Sequence, residues 1–302
     1  MENSLPCRSD IFHKRFLSGI WGNKVKKKII FTVVIVIVLA AGVGILLYPF
    51  ISNWIVQNSR NLEIMEYDTT VQEMEQEMLQ EEWLKAGDYN QSRTVWKGAD
   101  AFSGGDDEIL PEEYLSVLNI DGIMGHISIP KINVYLPIRH GTSEDVLKNS
   151  VGHLARSNLP IGGSGNHSVL TGHTGLPSAM LFTSLDELVL GDIFYLNILD
   201  EVLAYEIDNI DIVLPENVDS LKPSEGQDYV TLITCTPYGV NSHRLLVRGI
   251  RTEMPETESS EVEITQEKDP TMVIIIAAAL LAVVIVVIIT ASVKRKRKNG
   301  KA

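Results

Sequence analysis

Residues 228–251 read DYVTLITCTPYGVNSHRLLVRGIR, and the fold is decided here. Val230, Leu232 and Ile233, with Thr231 and Thr234 between and after them, make a strand-forming apolar run that ends at Cys235. Pro237, Gly239 and Asn241 are turn formers, and Pro237 removes a ladder donor. Leu245, Leu246 and Val247 then form a second strand between Arg244 and Arg248. The reading is strand, cysteine, turn, strand. Adjacent strands lie about 4.8 Å apart, so Cys235 and Arg244 are placed to share a face. His243, the neighbour of Arg244, then points to the other face. A thiol beside a fixed guanidinium has a stabilised anion.

Upstream of this stretch the pattern is also that of short strands. Residues 125–140 read as two of them, and 168–171, 193–199, 202–207 and 210–214 as four more. Helical signals are few: 112–118, 143–154 with Ser143 as cap and Glu144 and Asp145 in its first turn, and 178–188. Seven or eight short strands with few helices predict a mainly β domain over residues 122–252, a closed or nearly closed barrel. The glycine-rich loop 160–166 is followed by a strand-like run and not by a helix, which excludes a phosphate loop.

Two runs do not belong to any water-soluble core. Residues 29–48 and 271–293 carry no charge, and a bilayer core needs about 20 apolar residues in a helix. Both read as transmembrane helices, the first as an uncleaved anchor. Basic residues precede the first run (Lys24, Lys26, Lys27, Lys28) and follow the second (Lys294 to Lys298). By the positive-inside rule, the N-terminus (1–28) and the tail (294–302) are cytoplasmic and the domain between the spans is extracellular. Of 26 Lys+Arg and 39 Asp+Glu, the first 28 residues hold 7 and 2 and the last ten hold 6 and none, leaving a net charge of −24 between them. So acidic a domain argues against a nucleic-acid partner.

Residues 49–87 carry Trp54, Leu62, Met65, Val71, Met74, Met78 and Trp83 at helical spacing, a helical stalk in one or two segments. No strict heptad persists, so its apolar face is expected to pack on the following domain. Residues 88–121 have little periodicity and read as a lid or linker, and 253–270 as an acidic tether. The two cysteines, Cys7 and Cys235, lie on opposite sides of the membrane on this topology and cannot pair. Cys235 is thus a candidate reactive thiol, with an inert core cysteine as the plain alternative. Spacing does not choose a partner among His126, His140, His153, His167, His173 and His243, although His173 in GHTG (172–175) is placed at a strand end. No spacing suggests a metal, and no cofactor is expected.

Residues 231–249, TLITCTPYGVNSHRLLVRG, resemble the active-site signature of the sortases, and in particular of the pilus-building class C sortases of Gram-positive bacteria. The stretches GHISIPKINVYLPIRHGTSE (125–144), VGHL (151–154), HSVLTGHTGLPSAMLF (167–182) and GDIFY (191–195) are similar to that family's core, and two membrane spans occur in class C members. The resemblance implies an eight-stranded β-barrel with Cys235 as nucleophile, His173 as catalytic histidine and Arg244 as catalytic arginine. It implies a transpeptidase that cuts an LPxTG-like sorting signal between Thr and Gly through a thioester and passes the acyl group to a pilin lysine amine. Sorting-signal proteins and the lipid bilayer are the implied partners. A housekeeping or class B-type sortase using a peptidoglycan amine, a cysteine hydrolase, and a non-catalytic barrel that binds surface proteins are the alternatives. Class C members carry an Asp-Pro-aromatic lid; the matching residues are Asp100, Ala101 and Phe102, with alanine in place of proline, which predicts a less rigid lid.

Overall fold

The computed structural model describes residues 8–92, 102, 110–174, 181–217 and 219–255. The expected second span (271–293), the basic tail, Asp100 and all but the first three residues of the tether lie outside the described residues. The compact unit Ser52–Glu267 holds the barrel and its supporting helices.

Eight strands close into a barrel: β1 Gly125–Ile129, β2 Val134–His140, β3 Val151–His153, β4 Asn166–Thr171, β5 Ile193–Ile198, β6 Glu201–Val213, β7 Asp228–Thr236 and β8 His243–Arg251. Their order around the barrel is β1-β2-β3-β4-β7-β8-β6-β5. Closure leaves no free sheet edge to recruit another chain. The pairs β2–β3 and β4–β7 are parallel and the rest antiparallel. Every strand sends residues into one large core, among them Ile127, Leu136, Val151, Leu170, Leu196, Leu203, Leu232 and Val247. That core takes in the barrel interior and continues into Tyr67, Val71, Leu79, Ala86 and Tyr114 of the supporting helices. Because strand residues alternate between faces, Ile233, Val169 and Leu246 point outward, where they form a second cluster with Leu154 and Leu221. Cys235 shares the outward face with Ile233.

Among the described residues four α-helices accompany the barrel: α1 Arg8–Glu73, α2 Gln76–Ser92, α3 Glu112–Ser116 and α4 Glu144–Asn149. The stalk residues bury one face on the barrel, as Ile64, Tyr67, Val71, Leu79 and Ala86 are buried. Polar bonds fix its position. Tyr67 donates its hydroxyl to Met124 O (3.3 Å) and accepts from Leu199 N (2.8 Å); Trp83 Nε1 donates to Asp200 (2.9 Å). Asn90 bonds Leu159 in both directions, at 2.7 and 3.2 Å. Among the described residues no helix is long and apolar enough to cross a membrane. The run 29–48 lies on α1, with many of its side chains outside the described set.

Three expected elements differ. The helix expected over 143–154 stops at Asn149, because residues 151–153 pair with β2 and β4 as β3. Its cap is as read, since Ser143 Oγ accepts from Val146 N. The strands expected at 202–207 and 210–214 are one strand, β6, bulged between Ile207 and Asn209. The bulge frees Asp208 to hold Arg248 in two bonds of 3.0 and 2.8 Å. In 178–188 the described part holds a single 3₁₀ turn, Leu185–Glu187, where a helix was expected.

The hydroxyl of Tyr67 is buried and bridges two backbone groups, so Tyr67→Phe strands both. Urea denaturation should show a loss of roughly 1–3 kcal/mol.

Candidate active site

The site begins with the register of two strand pairs. In the antiparallel β7–β8 pair, Cys235 lies directly opposite Arg244 and Thr236 opposite His243. The turn between them is closed by Val240 N and Asn241 N donating to Pro237 O, at 3.0 and 2.9 Å. Gly239 and Asn241 take positive φ, as such a turn requires. Arg244 Nη1 donates to Asn241 O and His243 O, both at 3.2 Å, so the turn backbone orients the guanidinium. Cys235 is half-buried and, among the described residues, forms no disulfide.

The parallel β4–β7 pair brings the histidine. Thr171 is paired with Ile233, and beyond it Gly172 N donates to Ile233 O (3.1 Å). Thr234 Oγ1 donates back to Gly172 O (2.8 Å). The chain leaving β4 is thus tied to β7 next to Cys235, and His173 is the next residue. Phe182 N donates to His173 O (3.1 Å), while the Phe182 ring lies 2.7 Å from where a Cβ on Gly172 would be. Glycine is needed there for close approach, not for an unusual φ.

His173 is half-buried. Phe102 stacks on its ring, with centroids 5.6 Å apart and planes 26° from parallel. Arg244 Cζ lies 5.0 Å from the centroid of the same Phe102 ring. Phe102 also packs against the outward cluster around Ile233 and Leu246. One phenyl ring therefore contacts both the imidazole and the guanidinium, on the face that carries Cys235. Glu144 Oε2 lies 3.9 Å from His173 Nε2. Burial lowers the His173 pKa below that of a free imidazole, and the Glu144 charge opposes this.

The other histidines are held elsewhere. His126 pairs with Asp68 (3.1 Å), and His140 Nε2 bonds Val117 O (2.8 Å). His153 bonds Tyr114 and Asn158 O, both at 2.8 Å. His167 bonds Thr231 Oγ1 (2.7 Å) and Lys222 O (3.1 Å), and burial pushes its pKa down to about 4. His243 bonds Ser242 (2.9 Å) on the turn. The structure thus brings together Cys235, Arg244, His173 and Phe102 of the residues singled out from the sequence; Asp100 lies outside the described residues. Sequence reasoning passed over two contributors, Glu144 and Thr234. Glu144 carried only a helix-start signal, and Thr234 only a strand signal.

Such an arrangement can hold a thiolate between two cations, donate a proton from an imidazolium and stabilise an oxyanion with a guanidinium. The family model described as "Sortase domain" matches residues 127–252. Sortase C of Streptococcus pneumoniae, described for its catalysis and pilin substrate specificity, is 42% identical with a TM-score of 0.59; the match covers 63% of this chain and 96% of that one. Sortase C-1 of Actinomyces oris is 48% identical with a TM-score of 0.56, covering 58% of this chain and 98% of that one. The curated relative Sortase A of Streptococcus agalactiae is 33% identical over 117 residues, 38% of this chain and 47% of the relative. The chain therefore spans about half the length of that curated relative.

A methyl group at position 172 has to displace Phe182 or the His173 backbone. Gly172→Ala should lower stability by roughly 1–3 kcal/mol in urea denaturation and slow iodoacetamide alkylation of Cys235 at neutral pH.

Proposed function

The chain belongs to the sortase family, and from that premise we propose that it is a membrane-anchored cysteine transpeptidase of the class C kind, joining pilin subunits. The observation that carries this reading is the placement of Cys235 opposite Arg244, with His173 tied in beside it by the β4–β7 pairing.

The Cys235 thiolate attacks the carbonyl carbon of the Thr–Gly bond in an LPxTG-like signal. Arg244 cannot lose its own proton, and its guanidinium stabilises the oxyanion that develops on the substrate. His173, as imidazolium, gives its proton to the departing glycine amine, leaving a Cys235 thioester. A pilin lysine amine then attacks the thioester and gives a proton to His173. Collapse forms the isopeptide bond and returns the thiolate. A housekeeping role would use the same first half and a peptidoglycan amine in the second.

Phe102 acts as the lid residue in this reading. Its ring lies against both His173 and Arg244, where the peptide has to enter, so substrate binding requires it to leave. Asp100, with Phe102, completes the proposed lid. Membrane anchoring through residues 29–48 is supported by their lack of charge and by the exposure of Phe31, Val34, Ile37, Val38 and Ile45 on α1. The basic residues beside both apolar runs support cytoplasmic termini and an extracellular barrel.

The test is trapping. Incubation with an LPxTG-type peptide should give a mass adduct on Cys235 that Cys235→Ala abolishes. Adding a pilin domain with its acceptor lysine should convert the adduct to an isopeptide-linked product faster than a peptidoglycan-like amine does. The reverse preference would assign the housekeeping role, and absence of any adduct would refute the enzyme. Phe102→Ala removes a stacking and a cation–π contact, so alkylation of Cys235 should accelerate roughly five- to tenfold; an unchanged rate would count against the lid.

A further inference from the structure

We propose that Glu144 is the positioning carboxylate for His173, its charge favouring the imidazolium and aligning the ring during acyl transfer. The inference rests on the reading of Cys235 and His173 as the reacting pair.

The local structure is built to bring this carboxylate in. Gly152 of β3 lies across from Thr171 of β4, two residues before His173. A Cβ on Gly152 would stand 2.3 Å from Gly141 O and 3.0 Å from Leu147 Cδ2. Its absence lets the 141–142 turn and α4 lie directly on the β3–β4 pair. The turn is fixed by Gly141 N, which bonds His153 O (3.1 Å) and the Tyr114 hydroxyl (3.0 Å). Ser143 then caps α4, and Glu144 is the first residue of the helix. Its Oε2 ends 3.9 Å from His173 Nε2.

That distance exceeds a hydrogen bond, so Glu144 acts on His173 through charge. Among the described residues, the charged or titratable groups placed near His173 are Glu144 from α4, Cys235 from β7, and Arg244 from β8, which lies against the same Phe102 ring. Burial disfavours the imidazolium and lowers the His173 pKa; Glu144, on a fixed helix, is an anion that opposes this. When Phe102 leaves for the peptide, His173 loses the ring stacked on it, while the carboxylate at Nε2 stays in place. Glu144 acts through His173.

The sign of the effect follows. Removing the carboxylate lets His173 lose its proton at lower pH. The alkaline limb of the pH profile, where imidazolium is lost, then moves down; the limb reports the Cys–His pair and not His173 alone. Glu144 is largely exposed, so the displacement is small, roughly half a pH unit or about threefold in rate.

The experiment uses the full chain in detergent micelles and four proteins: parent, Glu144→Gln, Glu144→Asp and Asp145→Asn. Asp145 is in the same helical turn but pairs with Lys148, so it controls for the helix-terminal field. Two profiles are measured against pH, kcat/KM for an LPxTG-type peptide and the alkylation rate of Cys235. Glu144→Gln should lower kcat/KM about threefold above neutrality with KM unchanged and move both alkaline limbs down. Glu144→Asp should recover part of the loss, and Asp145→Asn should superimpose on the parent. A Glu144→Gln profile that superimposes on the parent's overturns the proposal, as does an Asp145→Asn profile displaced equally. Alkylation is read without turnover. A parent that alkylates normally but forms no thioester refutes the transpeptidase reading, while the alkylation limbs still decide whether Glu144 acts on His173.

Discussion

The parallel pairing of β4 with β7 is the constraint on which the site depends. It joins residues more than sixty positions apart and brings the end of one strand level with the end of the other. Without it, Cys235 and Arg244 would still face each other across β7–β8, but no imidazole would be delivered to them. The pairing continues past the last ladder residue through Gly172 N and Thr234 Oγ1, so the loop that carries His173 starts from a fixed point. Closure of the barrel then makes this point rigid, since both strands have partners on their other edges.

Phe102 shows how one apolar side chain can engage three features at once. It stacks on an imidazole, lies under a guanidinium and covers the outward cluster of Ile233 and Leu246. A ring in contact with two groups that both carry positive charge in the proposed chemistry offers them its π-system. The same cluster is the apolar surface that the displaced ring would expose, and an extended peptide arriving at Cys235 would meet it there.

Much of this was legible in the chain. The alternation in residues 228–251 and the turn formers between them define two strands, and counting across the turn puts Cys235 and Arg244 on one face. The number of short strands fixes a mainly β barrel. What the pattern does not carry is any partner far along the chain. The glycines around His173 mark a strand end, but that local signal does not choose it over His126, His153 or His167; resemblance selected it. The 143–154 stretch kept a helical signal through Leu154, but pairing of Val151–His153 with two strands overrides that local preference. The break at Asp208 and Asn209 looked like a gap between strands because a bulge and a turn share the same polar residues. Glu144 was invisible as a site residue because its approach depends on Gly152, whose importance is the space it leaves empty.

The two-faced character of β7 also limits how the chain can change length. Val230 and Leu232 fill the barrel, while Ile233 and Cys235 look outward. Deleting a single residue within this strand would turn every following side chain over, bury the sulfur among the interior leucines and set a threonine in its place outside. Past Pro237 the turn residues are exposed, with Tyr238 and Val240 open to solvent, and carry no such parity. Insertions and deletions accumulated by descendants of this gene should therefore gather between residues 237 and 242 and be absent from 228–236.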